Sequence, residues 1–159
     1  MKELLSAQYE LVKGSRQALF TYFETMNDDD LFKQIPEFNN SSIRDLLVHN
    51  VNTYIGWVEY FGLDGSRTFY SYADINSLND IKQLFEQVDL FVDDFLLKYS
   101  DDYLTSQTKY VARKGMTLRL SPLQLFTHVI THEFHHKGQM LTMSRMLGYI
   151  PADTDAIRF

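Results

Sequence analysis

The stretch from Ser121 to Gly148 limits the folds open to this chain more than any other. It opens Ser121-Pro122-Leu123-Gln124: a capping hydroxyl, a proline at the first helical position, and a glutamine able to hydrogen-bond back to the cap. No proline follows until Pro151, and Gly148 stands where a helix end takes a left-handed residue. At 3.6 residues per turn Leu125, Val129, Met140, Met143 and Leu147 share one face. A long helix with one apolar face is stable only when that face is buried against other elements.

Three more segments carry a helical period. The first runs from Lys2 to about Thr25, with Leu4, Leu5, Tyr9, Leu11 and Val12 as its early apolar contacts. Asn27-Asp28-Asp29-Asp30 breaks the pattern, and Pro36 to Asn40 reads as loop. The second starts at Ser42, whose spacing to Asp45 is that of a cap and a third-position acid. Its stripe is Ile43, Leu47, Val51, Tyr54, Ile55 and Val58, fading near Gly62 to Gly65. The third runs from Ser77 to Tyr99, with Ile81, Leu84, Phe85, Val88, Val92 and Phe95 in register. Lys109 to Leu120 reads as a short β-hairpin turning at Lys114-Gly115. The expected fold is all-α: one domain over residues 1–159, a four-helix bundle. The long connection from Asp64 to Asn76 predicts a crossover between the second and third helices, and the hairpin precedes the fourth.

Composition narrows the function. There are 12 Phe and 10 Tyr, enough aromatic bulk for a core, and no Cys, which excludes disulfides, thiolate metal sites and a cysteine nucleophile. Absence of Cys suits a reducing compartment. The opening MKELLSAQYELVKGSR is charged throughout and lacks the apolar centre of a signal peptide, and no run approaches the ~18 apolar residues of a membrane span. The expectation is a cytoplasmic protein with no membrane partner. A net charge of −6 argues against a nucleic-acid partner.

Four of the five histidines lie on the fourth helix. His132 and His136 project at the middle of its apolar face, and His128 and His135 at its edges. Two imidazoles four residues apart stack on a helix and can share one metal at ~2.0–2.1 Å. The alternative is a pair satisfied by hydrogen bonds or packed as aromatics. The literal H-E-x-x-H at His132 suggests a zinc protease, which needs a third ligand. The extended motif would require glycine at position 139 and histidine at position 142, where the chain has Gln139 and Thr142. No Glu follows His136 to supply the other common ligand. The remaining histidine, His49, lies on the second helix, off its apolar stripe, on an arc with Asp45, Asn52 and Gly56 bordered by Trp57 and Tyr60. Such an arc either faces water or lines a polar pocket.

Taken together, N-S-S-I-R-D-L-L-V-H ending at His49, Trp57 eight residues on, H-E-F-H-H-K-G-Q from His132 to Gln139, and the tail G-Y-I-P-A-D-T-D from Gly148 resemble the DinB-like family of helical bundles. The resemblance implies a divalent-metal site of His49, His132 and His136, holding zinc or nickel, in a protein that often forms a homodimer. Lys137 stands where Arg is commoner in that motif. Characterised members of this kind include S-transferases using low-molecular-weight thiols. The resemblance therefore implies a metal-dependent thiol transferase acting on a small-molecule substrate. A non-catalytic metal-binding stress-response or interaction protein and a metal-dependent hydrolase are the alternatives. Asn52, Gly56, His128, Glu133 and Gln139 are the expected pocket-lining residues. Glu133 could instead pair with a cation on a neighbouring helix. The basic residues Lys109, Arg113, Lys114 and Arg119 would either receive an anionic thiol or form a solvated hairpin face.

Overall fold

The computed structural model describes residues 2–66, 68–111 and 115–158. Four long helices form the body: α1 (Lys2–Phe23), α3 (Ile43–Tyr54), α4 (Leu78–Lys98) and α5 (Pro122–Met146). A short α2 (Asp28–Phe32) and a two-stranded sheet, β1 (Gln107–Val111) with β2 (Met116–Leu120), complete it. The strands pair antiparallel, with Lys109 opposite Leu118.

Local chemistry sets the helix ends. Ser42 Oγ accepts from the Asp45 amide at 3.1 Å, and Asp45 Oδ2 accepts from the Ser42 amide at 3.0 Å. Ser121 and Gln124 form the same reciprocal pair at the start of α5, and Ser77 caps α4 through the Asp80 amide. At the end of α5, Gly148 adopts φ +93°, so that the Tyr149 amide reaches the Ser144 carbonyl and the Gly148 amide reaches that of Arg145.

Side-chain pairs fix the helix directions. Tyr9 and Arg16 of α1 both meet Asp89 of α4, and Phe20 meets Phe85, so these helices are antiparallel. Tyr9, Arg16 and Tyr22 meet Phe126, Glu133 and Ser144 in rising order, so α1 and α5 are parallel. His49, Tyr54 and Trp57 of the α3 segment meet His136, Glu133 and His128 in falling order, so it opposes α5. Both α3 and α4 therefore run against α1 and α5. Successive helices in one direction require a connection as long as the bundle, and residues 63–77 supply the expected crossover.

The core is one cluster, with Phe23, Ile43, Val48, Tyr54, Val58, Val88, Phe95, Phe126 and Met143 fully buried within it. Four details depart from the sequence reading. Leu4 and Leu11 are 67% and 51% exposed, because Leu5, Tyr9, Val12 and Leu19 make the inward stripe of α1. Asn27 to Asp30, expected only to break the helical pattern, starts α2, whose Leu31 is buried, while α1 ends earlier at Phe23. Pro36–Phe38 is a 3-10 turn within the expected loop. Beyond Tyr54 the helix widens to a π-helix over Ile55–Gly62. This segment packs closely on α4: a Cβ at Gly62 would lie 2.6 Å from the Phe95 ring, and the Gly62 carbonyl accepts from Tyr99 Oη at 2.6 Å.

Candidate metal centre

Because α3 and α5 are antiparallel and in contact, the one histidine of α3 lies beside the pair one turn apart on α5. Nε2 of His49 is 3.0 Å from Nε2 of His132. The His136 ring centroid lies 4.8 Å from that of His49 and 4.4 Å from that of His132. One nitrogen from each ring falls within 4.8 Å of the others, and all three residues are half-buried. His49, Asn52 and Gly56 of the polar arc therefore line a site rather than facing bulk water, while Asp45 caps the start of α3.

The environment keeps these rings neutral. Burial lowers His132 to about 4, with the neighbouring His136 and His49 rings adding to the effect. Burial also lowers His49 and His136. Gln139 Oε1, one turn on, lies 2.6 Å from His136 Nδ1. A carboxamide oxygen only accepts, so Nδ1 carries the proton and Nε2 keeps its lone pair. Gln139 thus orients a candidate ligand and is engaged by it.

A cleft of about 860 Å³ opens beside the histidines. Its walls include His49, Asn52, Gly56, Trp57, His128 and His132, together with Phe69, Tyr70 and Tyr72 of the crossover. Asn52 does more than line it. Its Nδ2 donates to the Tyr70 carbonyl and its Oδ1 accepts from the Tyr70 amide, both at 2.9 Å, clasping the crossover to α3. Gly56 lies beneath the crossover, where a Cβ would sit 3.7 Å from the Phe69 ring. His128 is exposed, with its ring 5.1 Å from Trp57 and 5.5 Å from His132. His135 is exposed, its ring 5.0 Å from that of His136.

Glu133 departs from the expectation of a pocket residue. It is buried and turned into the bundle, where Arg16 Nε and Nη2 donate to it at 2.7 and 3.0 Å and Tyr54 Oη donates at 2.6 Å. The alternative expectation, a salt bridge to a neighbouring helix, describes it. Lys137 is likewise buried, donating to Ser15 Oγ at 3.0 Å and the Thr154 carbonyl at 2.7 Å, which ties the C-terminal segment to α1. Among the basic residues expected on the hairpin, Lys109 pairs with Asp64 at 2.6 Å and bonds to the Tyr60 and Phe61 carbonyls. Arg119 is exposed, and Arg113 and Lys114 lie outside the described residues.

The sequence reading missed the crossover's part in the site. Its signal was present: Phe69, Tyr70 and Tyr72 crowd aromatic surface into a connection, where polar residues are the norm.

The DinB family profile matches residues 1–159. The chain belongs to the DinB family. A curated relative, "Protein DinB" of Bacillus subtilis (strain 168), is 25% identical over 165 residues, covering 98% of this chain and 92% of that protein. The resemblance drawn from His49, Trp57 and the His132–Gln139 element thus extends along the whole DinB-family chain. Among its described residues no helix is long and apolar enough to cross a membrane.

Proposed function

We propose that this DinB-family protein binds one divalent transition metal through His49, His132 and His136 and acts as a transferase with a low-molecular-weight thiol. The observation that carries the proposal is the approach of three imidazole nitrogens to within 4.8 Å at the edge of an open cleft.

The donor set fits the metal. Two nitrogens bound to one ion at ~2.0–2.1 Å stand about 2.9 to 3.4 Å apart for angles between square and tetrahedral. The 3.0 Å between His49 and His132 lies in that range. Imidazole donors suit zinc and nickel. When bound, an ion in a three-imidazole site supplies Lewis acidity and makes a thiol or water on it more acidic. The chain's own residues do the rest. Gln139 fixes the tautomer and orientation of His136. The half-buried setting keeps all three rings neutral at neutral pH, so a cation meets little competition from protons. The cleft gives a small electrophile room beside the centre. With no Cys in the chain, the sulfur must come from a small molecule.

The test is elemental analysis of untagged wild type, His49→Ala and His132→Ala, followed by conjugation of several small thiols to an electrophilic acceptor. About one equivalent of metal, lost in both variants, with conjugation faster in the metal form, supports the proposal. No metal after reconstitution with zinc, nickel and manganese overturns it. Metal without conjugation by any thiol overturns the transferase part and leaves a metal-binding protein.

A further inference from the structure

The described surface of the protein exposes large apolar side chains at scattered leucines, isoleucines and methionines, but exposed Phe or Tyr rings only on the crossover. Phe69 and Tyr72 are the aromatic residues among those exposed hydrophobics, at 38% and 43%, and both wall the cleft. Trp57 and Tyr60, each half-buried, face the same space. Two exposed rings at a cleft that Trp57 and Tyr60 also line place aromatic surface where a bound molecule would meet it.

The rings also lead inward. Trp57 contacts His128 edge to face at 5.1 Å, and His128 lies 5.5 Å from His132. The cleft volume of about 860 Å³ falls within the roughly 300–1,000 Å³ of small-molecule sites. It suits a small molecule, with one end at the histidines and the other along the rings. A planar ring gains edge-to-face and offset contacts that a saturated group of equal size cannot make, about three- to tenfold in affinity per good pair.

We propose that the cleft takes a small substrate bearing a planar aromatic group, held by Trp57 and by Phe69 and Tyr72 of the crossover, with its reacting end toward His132. The inference takes the cleft as the substrate site of the function proposed above. It adds the substrate class, which the histidines alone do not give. Gly56 contributes by carrying no side chain: a methyl at position 56 would only touch the Phe69 ring at 3.7 Å, whereas a longer side chain would occupy the cleft.

The test compares naphthalene-2-carboxamide with its fully saturated counterpart, decahydronaphthalene-2-carboxamide, by calorimetry on the untagged full chain, both zinc-loaded and metal-free. Trp57 is the only tryptophan, so quenching of its fluorescence is a second readout local to the site. The aromatic amide is expected to bind at least about tenfold more tightly than the saturated one. Phe69→Ala should lose about five- to tenfold of the aromatic affinity with little change for the saturated amide, while Leu97→Ala, exposed on α4 away from the cleft, changes neither. Equal affinity for the two amides, or no binding of either, overturns the inference. Ring preference in a chain that takes up no zinc leaves the inference standing and removes the metal. One equivalent of zinc without ring preference does the reverse.

Discussion

Arg16 and Glu133, 117 residues apart in sequence, form a two-bond ion pair inside the bundle, one residue along α5 from His132. Removing one partner of a buried pair leaves the other charge poorly compensated, at a cost of about 3–5 kcal/mol. Arg16 keeps a second contact with Asp89 at 2.7 Å, which softens the loss. Glu133→Gln should therefore destabilise the protein by about 3 kcal/mol in a urea titration while leaving metal stoichiometry at the wild-type value. A stable variant that no longer bound metal would return Glu133 to the site.

Gln139 touches the candidate centre only through His136. Second partners of this kind typically tune metal affinity by about 10–100-fold. Gln139→Ala should weaken zinc binding by about tenfold in a chelator competition without abolishing it, and Gln139→Glu, which restores an acceptor, should recover the affinity. Unchanged affinity in Gln139→Ala would remove its orienting role.

The histidine cluster makes the metal-free protein sensitive to acid. An unfolded histidine titrates near ~6.5. Burial, with the neighbouring rings, lowers folded His132 to about 4, and burial lowers His49 and His136. Between those values the unfolded chain holds more protons than the folded one. The contribution of these groups to stability is thus complete above pH ~6.5 and declines as pH falls toward 4. Melting curves in chelator should show Tm dropping between pH 7 and pH 5, with a shallower drop in His132→Gln. Parallel slopes for the two proteins would count against the lowered pKa.

The clasp between Asn52 and the Tyr70 backbone predicts where the crossover loosens. Asn52→Leu keeps the size of the side chain and removes both hydrogen bonds. Amide exchange should accelerate over residues 68–72 and stay slow in α3. Uniform acceleration along α3 would mean that Asn52 supports the helix rather than the crossover.

Lys137 predicts a second local opening. Lys137→Met removes the donor to Ser15 Oγ and the Thr154 carbonyl but preserves the stem. Ser15 still donates to Thr154, so the tail keeps one tie. Proteolysis within residues 149–158 should quicken, with a global cost of about 1–2 kcal/mol. Wild-type cleavage would assign the burial of Lys137 to packing alone.

What could be read from sequence was what depends on near neighbours. The reciprocal caps at Ser42–Asp45 and Ser121–Gln124, and the glycine end at Gly148, use residues within a few positions of each other, and each stands as expected. The spacing of His132 and His136 pointed to two of the three imidazoles. His49 was harder, because a helical wheel shows a polar arc but not what meets it, and the rings it meets lie on α5. Glu133 was ambiguous for the same reason, since its partner lies on α1. The π-helical turn at Ile55–Gly62 was hidden because its apolar positions satisfy an ordinary helical period until the backbone widens. Leu4 and Leu11 were misplaced because α1 offers more apolar residues than its inward stripe uses.

The crossover along residues 63–77 divides the labour of the molecule between parts that can change separately. The histidines stand on two helices locked by caps and by a buried ion pair, where most substitutions carry a penalty. Part of the wall above them is a connection whose exposed rings contribute little to the core. Selection, or an engineer, could exchange Phe69 or Tyr72 and alter what is admitted without disturbing the three rings beneath. A bundle of this build can diversify its chemistry of recognition at small cost to its foldability.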